Sequence, residues 1–192
     1  MQHNTSYDTQ ERLELLAFFG ALCLFFASIE YLFPKPVPFF RLGLANLPVL
    51  ISLKLFPPRY VLLLVLLKVL GQGLVNGTLA SYVFLFSLGG SFSSILVMLA
   101  VHRFGGERVS LVGISLFGAV ASNTVQIILS VLFIYGLTAW VIAPLFMTLG
   151  AGSGLFVGLF AERFQNSSRW LARIREHYGT YEESRQLSFS KY

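Results

Sequence analysis

The sequence predicts an all-α integral membrane protein, built as a bundle of six transmembrane helices. Three observations predict it. Hydrophobic residues make up 55% of the 192 residues, and the mean hydropathy is +0.71, which is more apolar than a soluble domain of this size. Charged residues make up only 12% of the chain. The apolar residues also fall into six stretches, separated by segments that contain proline, glycine or arginine.

The first apolar stretch covers residues 13–33 and follows a polar segment, residues 1–12. At about 20 residues it is long enough to cross a bilayer as a helix. A cleaved signal peptide would begin with basic residues and end at a small-residue cleavage site. Here the leading segment is acidic and no such site follows. We therefore predict a retained first helix, with residues 1–12 as a cytoplasmic N-terminal segment.

The second and third stretches, residues 43–56 and 60–76, are shorter than the roughly 18 residues that a span usually needs. A re-entrant hairpin is therefore an alternative for this part of the chain. Shallow helices packed inside a six-helix bundle are favoured because the turns at Arg59 and at Asn76 need water at opposite ends of the third stretch.

Three longer stretches follow, at residues 82–101, 111–135 and 139–160. They complete a predicted membrane domain over residues 13–162. In the remaining tail, residues 163–192, aromatic and apolar residues recur near helical spacing among arginines. This pattern is typical of a basic amphipathic helix that lies on a membrane surface, and we expect the end of the tail to be disordered.

Small residues form two faces on the predicted helices. Gly150, Gly154 and Gly158 recur every fourth residue in the last stretch, which is typical of a helix-packing face. Ala17 and Ala21 form a shorter face of the same kind on the first helix. Such spacing is common in membrane helices and by itself indicates packing.

Basic residues are distributed unevenly between the predicted loops. With six spans and the N-terminus inside, only Lys35 and Arg41 lie on the outer side. Cytoplasmic loops carry an excess of Lys and Arg, so we predict both termini in the cytoplasm and a multi-pass protein of the plasma membrane. Eight arginines lie on that cytoplasmic side: Arg12, Arg59, Arg103, Arg108, Arg163, Arg169, Arg173 and Arg175.

A polar stripe follows the third predicted helix. Lys68, Gln72 and Asn76 are spaced four residues apart, so on a helix they share one face. A lysine inside an apolar helix costs about 2.5–3.5 kcal/mol on insertion scales. Lys68 therefore needs a carboxylate, a water-filled cavity or a ligand to meet its charge.

Other polar residues fall at the same predicted depth. These residues come from separate segments, and the assumed topology places all of them in the outer half of the bilayer. This arrangement predicts a ligand-binding pocket that opens outward. Two structural alternatives stay open: an ion pair between Lys68 and Glu30, and interhelical hydrogen bonds from Asn123 and Gln126. The predicted ligand-binding residues are Glu30, Arg41, Asn46, Lys68, Gln72, Asn76, Asn123 and Gln126.

The composition excludes several function classes. The chain has one aspartate, Asp8, and three dispersed histidines, His3, His102 and His177, so no metal-ligand cluster is expected. Prenyl diphosphate synthases need aspartate-rich magnesium sites, so the chain alone is not expected to be an enzyme. It carries no nucleotide-binding loop. Because its basic residues flank apolar stretches rather than forming one face, no nucleic-acid partner is expected, and no cofactor either.

Four motifs carry a resemblance to a known family. Gly43-Leu-Ala-Asn46-Leu-Pro, Lys68-Val-Leu-Gly-Gln-Gly-Leu-Val-Asn-Gly-Thr, Ser87-Leu-Gly-Gly90 and Gly118-Ala-Val-Ala-Ser-Asn-Thr-Val-Gln126 resemble the Gx transporter family. That family is also labelled heptaprenyl diphosphate synthase component I, and the resemblance covers residues 13–162. The family usually has His-Asn where this chain has Ser122-Asn123, so a ligand contact at Ser122 does not follow from the resemblance.

The family is similar in turn to the substrate-binding S components of energy-coupling factor (ECF) transporters. The resemblance implies a six-helix protein that captures a small molecule and docks on a transmembrane coupling protein with two ATPases. Those S components dock partly through an Ala-xxx-Ala face on the first helix, where this chain has Ala17 and Ala21.

Three functions are therefore considered. The leading hypothesis is an S-component-like subunit that captures a small anionic or amphipathic ligand, with membrane lipid around it. The first alternative is a membrane accessory subunit of isoprenoid or quinone (heptaprenyl diphosphate) synthesis. The second is a scaffold in a membrane flavin or electron-transfer assembly.

Overall fold

The computed structural model describes residues 3–32 and 43–178, and in these ranges the chain is helical, with no strand. Three short 3₁₀ turns and one π-helical turn connect or extend the α-helices. The α-helices are α1 His3–Leu32, α2 Leu47–Ser52, α3 Pro58–Val75, α4 Tyr82–Gly105, α5 Leu111–Ser130, α6 Ala139–Ser167 and α7 Arg169–Tyr178.

Four stretches of the described chain are long and apolar enough to cross a membrane: Arg12–Glu30, Pro58–Val75, Tyr82–Gly105 and Leu111–Ser167. The last contains 57 residues, which as one helix would measure about 85 Å against a hydrocarbon core of about 30 Å. It is instead divided into α5 and α6 by the turns at residues 131–138. The prediction of an all-helical protein with membrane-spanning helices is confirmed, whereas the number of spans and the orientation stay predictions.

The close contacts between helices show their directions. Gly20 lies against Leu64, and further along both helices Leu24 lies against Gly71, so α1 and α3 run parallel. Helix α4 returns beside α3 after the turn that follows Val75.

The last three long helices form antiparallel neighbours. On α4 and α5, Gly118 packs against Met98 while Gly89 packs against Val125. On α5 and α6, Gly150 packs against Asn123, and Gly158 packs against the backbone of Val112. Consequently the C-terminal ends of α1, α3 and α5 lie at the same end of the bundle as the N-terminal ends of α4 and α6.

The second predicted span is not a full-length helix. The prediction covered residues 43–56, but α2 has only six residues and measures about 9 Å. Pro48 stands at its start, and the chain turns between α2 and Pro57 before α3 begins. Every residue of α2 is buried. Residues 43–56 are apolar because this segment is packed inside the protein. Its hydropathy therefore does not show that it crosses a membrane.

Several other boundaries differ from the prediction. Helix α1 begins at His3, ten residues before the predicted apolar stretch. Helix α6 continues to Ser167, past the predicted end at residue 160. The residues that extend α1 and α6 beyond their apolar stretches include good helix formers such as Glu, Gln and Arg, and no proline stops the helix there. Helix α5 ends at Ser130, and residues 131–135 form a π-helical turn.

The basic tail begins with a helix that packs against the bundle. On α7, Leu171 is fully buried and Ile174 is also buried. The ring of Trp170 lies 5.4 Å from that of Phe18 on α1. Arg169 and Arg173 are exposed, so the helix has an apolar side on the bundle and a basic side away from it. The predicted disorder after residue 182 lies outside the described residues.

The surface of the bundle is apolar and part of its interior is polar. Many large hydrophobic side chains are exposed, among them Leu137 and Val141 at 80%. Several charged or amide side chains are buried instead, including Glu30 and Lys68. A helical protein with its apolar side chains outward is suited to a lipid environment, where helix packing does not depend on burying apolar surface from water.

Candidate functional site

Most of the buried polar side chains that the structure describes line one cavity between the helices. Its volume is about 50 Å³, measured as the space open to the centres of water molecules, and one water needs only about 10–15 Å³ of such space. Six of the eight predicted ligand-binding residues line it: Glu30, Asn46, Lys68, Gln72, Asn123 and Gln126.

The cavity lies toward one end of the bundle. Glu30 is two residues before the end of α1, and Lys68 and Gln72 are in the C-terminal half of α3. Asn123 and Gln126 are in the C-terminal half of α5. Because these C-terminal ends meet at the same end of the bundle, the polar side chains share one half of the protein. Met98, Ser115 and Val157 line the deeper part of the cavity.

A short 3₁₀ turn places Asn46 beside the buried lysine. The turn Leu44–Asn46 follows Gly43, whose φ of 77° lies in the left-handed region that glycine adopts without strain. The backbone N–H of Asn46 donates to the carbonyl of Gly43. At the end of this turn, Lys68 Nζ donates a hydrogen bond to Asn46 Oδ1. Lys68 is only 4% exposed, so the amide oxygen offsets part of the cost of burying its charge.

Glu30 holds the start of the same turn. The backbone N–H of Gly43 donates to Glu30 Oε1 at 3.1 Å, and Glu30 is 3% exposed. The carboxylate and the ammonium group of Lys68 thus both bind residues of one turn, and both line the cavity. Opposite charges near the same cavity are the expected arrangement for intramembrane ionisable groups.

Asn123 joins α5 to α6. Its Nδ2 donates to the carbonyl of Phe146 at 3.0 Å. Gly150 provides the space, because a Cβ added there would lie 1.5 Å from Asn123 Nδ2. The interhelical hydrogen bond predicted as a structural alternative for this residue is therefore present, and it uses the amide nitrogen.

Gln126 is held within its own helix and against α4. Its Nε2 donates to Ser122 Oγ at 3.1 Å. Gly90 on α4 faces both groups, because a Cβ added there would lie 2.6 Å from Gln126 Nε2 and 2.8 Å from Ser122 Oγ. The nitrogen is thereby placed at the interface of α4 and α5, and the oxygen is left for the cavity.

Sequence reasoning missed most of the hydroxyl groups of the site. Serines on α4, α5 and α6 line the cavity beside the amides: Ser87, Ser91, Ser115, Ser122 and Ser153. A serine in an apolar helix is usually a small packing residue, so it gives a weak signal. The small-residue motifs around Gly90 and Gly118 were the sequence signal that could have indicated these serines. The motifs contain Ser87 and Ser122, and Ser91 directly follows Gly90.

Two predicted ligand-binding residues are not placed in the cavity. Asn76 follows the last residue of α3, where its N–H donates to the carbonyl of Gln72, and it does not line the cavity. The stripe it shares with Lys68 extends about 12 Å along the helix, which carries it past the cavity. Arg41 lies outside the described residues, as does Lys35.

The small-residue positions are placed on different surfaces. Gly154 and Gly158 are buried, and both lie against the backbone of α5. Ala17 and Ala21 are exposed on α1. In the described part of the chain, no three His, Cys, Asp or Glu side chains are grouped so that they could hold a metal ion.

One comparison with known proteins gives a match. The family model described as "Heptaprenyl diphosphate synthase component I" matches residues 19–164, which include every described residue that lines the cavity. No curated protein and no solved structure matches the chain.

Proposed function

The chain belongs to the heptaprenyl diphosphate synthase component I family, and from this membership and its buried polar cavity we propose that it is a substrate-binding membrane subunit of a transporter. In this role it resembles the S components of ECF transporters. It captures a small anionic or amphipathic molecule and delivers it to partner subunits that supply the energy.

The observation that carries the proposal is the convergence of polar groups from separate helices on one cavity. Lys68 and Glu30 are both buried at its wall. A buried lysine lowers the stability of a membrane helix by about 2.5–3.5 kcal/mol unless it is compensated. Helix packing alone does not require such a group, whereas recognition of a polar molecule does.

The lining of the cavity favours a small molecule with an anionic group and an apolar part. Lys68 supplies the positive charge, and the amides and serines supply hydrogen-bonding groups. The apolar part of the wall comes from Ala45, Met98, Ala119 and Val157. Most of the described lining residues are polar and a smaller part is apolar, and convergent polar groups fix the orientation of a ligand in small-molecule sites.

We further propose that the cavity end of the bundle faces outward and that both termini are cytoplasmic, in the plasma membrane. The distribution of arginine supports this orientation. Helix ends on the side away from the cavity carry exposed basic residues: Arg59, Arg103, Arg108 and Arg163. Basic residues are enriched on the cytoplasmic side of membrane proteins, so the cavity would open to the other side. Six transmembrane segments, with α2 as a short one, are part of the same proposal.

The proposed partners are a transmembrane coupling protein and ATPase subunits. Ala17 and Ala21 are exposed on α1, and small residues allow another helix to approach closely. No nucleotide-binding loop occurs in the sequence, so ATP hydrolysis would have to come from other chains.

Replacement of the buried lysine tests the proposal. We expect Lys68→Ala to abolish uptake of the substrate in cells that express the protein with its partners. Lys54→Ala is the matched control, because Lys54 is exposed in the turn between α2 and α3 and does not line the cavity. Equal uptake by the Lys68 variant and wild type, at equal amounts of protein in the membrane, would contradict the pocket assignment.

A second candidate is a membrane accessory component of heptaprenyl diphosphate synthesis, and the description of the family favours it. In that role the cavity would hold a polar head group while a soluble synthase performs the chemistry. Affinity purification of the tagged protein from membranes separates the candidates. Recovery of an ATPase pair supports the transporter, recovery of a prenyl synthase supports the accessory component, and recovery of a flavoprotein contradicts both.

A further inference from the structure

The amide groups of α5 are fixed so that their oxygens are available to a ligand. Asn123 Nδ2 donates to Phe146 O, and Gln126 Nε2 donates to Ser122 Oγ. Neither Asn123 Oδ1 nor Gln126 Oε1 accepts a hydrogen bond from any described residue, and neither atom is sealed off from solvent. Both residues line the cavity, so this wall offers two hydrogen-bond acceptors.

The orientation of Asn123 cannot be reversed without loss. Rotating the amide by 180° would place Oδ1 against the carbonyl oxygen of Phe146, and two acceptors do not form a hydrogen bond. Nδ2 fills the space over Gly150, where an added Cβ would lie 1.5 Å from it. For Gln126, the space over Gly90 holds the end of the amide beside Ser122, whose hydroxyl accepts from Nε2.

The wall formed by α3 and the turn before α2 has the opposite character. Lys68 carries a positive charge, and its hydrogen bond to Asn46 Oδ1 leaves Asn46 Nδ2 as a donor. Glu30 brings one negative charge to the same cavity. Among the described residues of the lining, the two formal charges therefore sum to zero.

We infer that the ligand is a small zwitterion. Its anionic group would face Lys68 and Asn46, and its ammonium group would face Asn123 Oδ1 and Gln126 Oε1. A purely anionic ligand has no donor to offer the two amide oxygens. They would then lack a hydrogen bond, which costs free energy for buried acceptors. This inference rests on the proposed function, since it assumes that the cavity binds a small molecule.

Binding to purified protein in detergent tests the inference with matched sets of compounds. Each set contains an L-amino acid, the carboxylic acid that lacks its amino group, and the amine that lacks its carboxylate. We expect at least one amino acid to raise the melting temperature, and to bind about tenfold or more tightly than both analogues, because each analogue leaves one side of the cavity without a partner.

A pair of variants at one position tests the orientation of the ligand. Gln126→Glu keeps an acceptor oxygen, and the Ser122 hydroxyl can donate to the new carboxylate. This variant should retain binding of the amino acid and weaken binding of the acid. Gln126→Leu removes the acceptor and should reduce the preference for the amino acid over the acid by about tenfold. Thr124→Val is the control, because Thr124 is exposed on the same helix and donates to its own backbone at Val120.

The preference is measured as a ratio of affinities within each variant, so it does not depend on how much of the variant folds. An acid that binds as tightly as its amino acid overturns the inference and leaves the proposed function in place. Lack of binding by every compound in the panel also overturns the inference, while the Lys68→Ala uptake experiment decides the proposed function separately.

Discussion

Asn123 occupies the space that a side chain at Gly150 would fill: a Cβ added to the glycine would lie 1.5 Å from Asn123 Nδ2. The contact lets the asparagine donate to the backbone of α6 at Phe146. It joins two features that the sequence shows separately, the glycine face of α6 and the polar residue of α5. Gly150 therefore shapes the cavity as well as the helix interface.

The first prediction concerns Gly150. We expect Gly150→Ala to destabilise the protein by about 1–3 kcal/mol, because an added methyl group in a packed interior forces its neighbours to move. Gly152→Ala is the control, since Gly152 lies on the same helix with nothing within 4 Å of an added Cβ. Thermal melting of the two purified variants in detergent gives the comparison. Equal melting temperatures would show that Asn123 does not occupy this position.

The second prediction separates the hydrogen bond of Glu30 from its charge. Glu30→Gln keeps an oxygen that can accept from the Gly43 N–H, whereas Glu30→Ala removes it. The neutral hydrogen bond that glutamine keeps contributes about 0.5–1.5 kcal/mol, so the alanine variant should be the less stable of the two. Denaturant melts monitored by circular dichroism measure the order. A glutamine variant as unstable as the alanine variant would show that the charge, as in an ion pair with Lys68, is the larger contribution.

The sequence predicts the long helices of this fold well and its short helix badly. Hydropathy indicates that a segment avoids water, but it does not distinguish lipid from a protein interior. The exposed apolar residues of α6 and the buried apolar residues of α2 therefore gave the same signal. Proline was the better indication, because Pro48 and the Pro57-Pro58 pair limit any helix between residues 43 and 60.

The candidate site could be predicted in part because charged and amide residues are rare in apolar helices. Lys68, Glu30 and Asn123 stand out for that reason, and the structure places them on one cavity. The serines gave no comparable signal. Asn76 was predicted because it continues the helical spacing of Lys68 and Gln72. The sequence does not show how far along the helix the cavity extends. The nitrogen of Asn123 is engaged because the carbonyl of Phe146 accepts from it, and this contact between residues distant in the sequence could not be predicted.

The third prediction concerns the attachment of α7. Leu171 is 0% exposed, and replacing a buried leucine with alanine typically lowers stability by about 2–5 kcal/mol. We expect Leu171→Ala to release α7 from α1 and to speed cleavage by trypsin after Arg169 and Arg173. Ala172→Ser is the control at the neighbouring exposed position. An unchanged cleavage rate in the leucine variant would contradict the packing of α7 on the bundle.

The fourth prediction tests the contact of Gly90 with Ser122 and Gln126. An added Cβ at Gly90 would lie 2.8 Å from Ser122 Oγ, so Gly90→Ala should destabilise the protein by about 1–3 kcal/mol. Ser122→Ala removes one of the two side-chain groups that the new methyl group would meet, the other being the amide of Gln126. The double variant should therefore be more stable than the sum of the two single effects, by about 0.5–3 kcal/mol, as residues in contact are coupled.

Gly89→Ala is the control for this cycle. Its added Cβ would meet Leu129 and Val125 instead, so its effect and that of Ser122→Ala should add independently. Melting of the four proteins of each cycle gives the coupling energy. Additive effects in the Gly90 cycle would show that Ser122 is not directed at Gly90, and the nitrogen of Gln126 would then be free to face the cavity. Because the zwitterion assignment needs that nitrogen held at the interface of α4 and α5, the same result would remove one of its two acceptors.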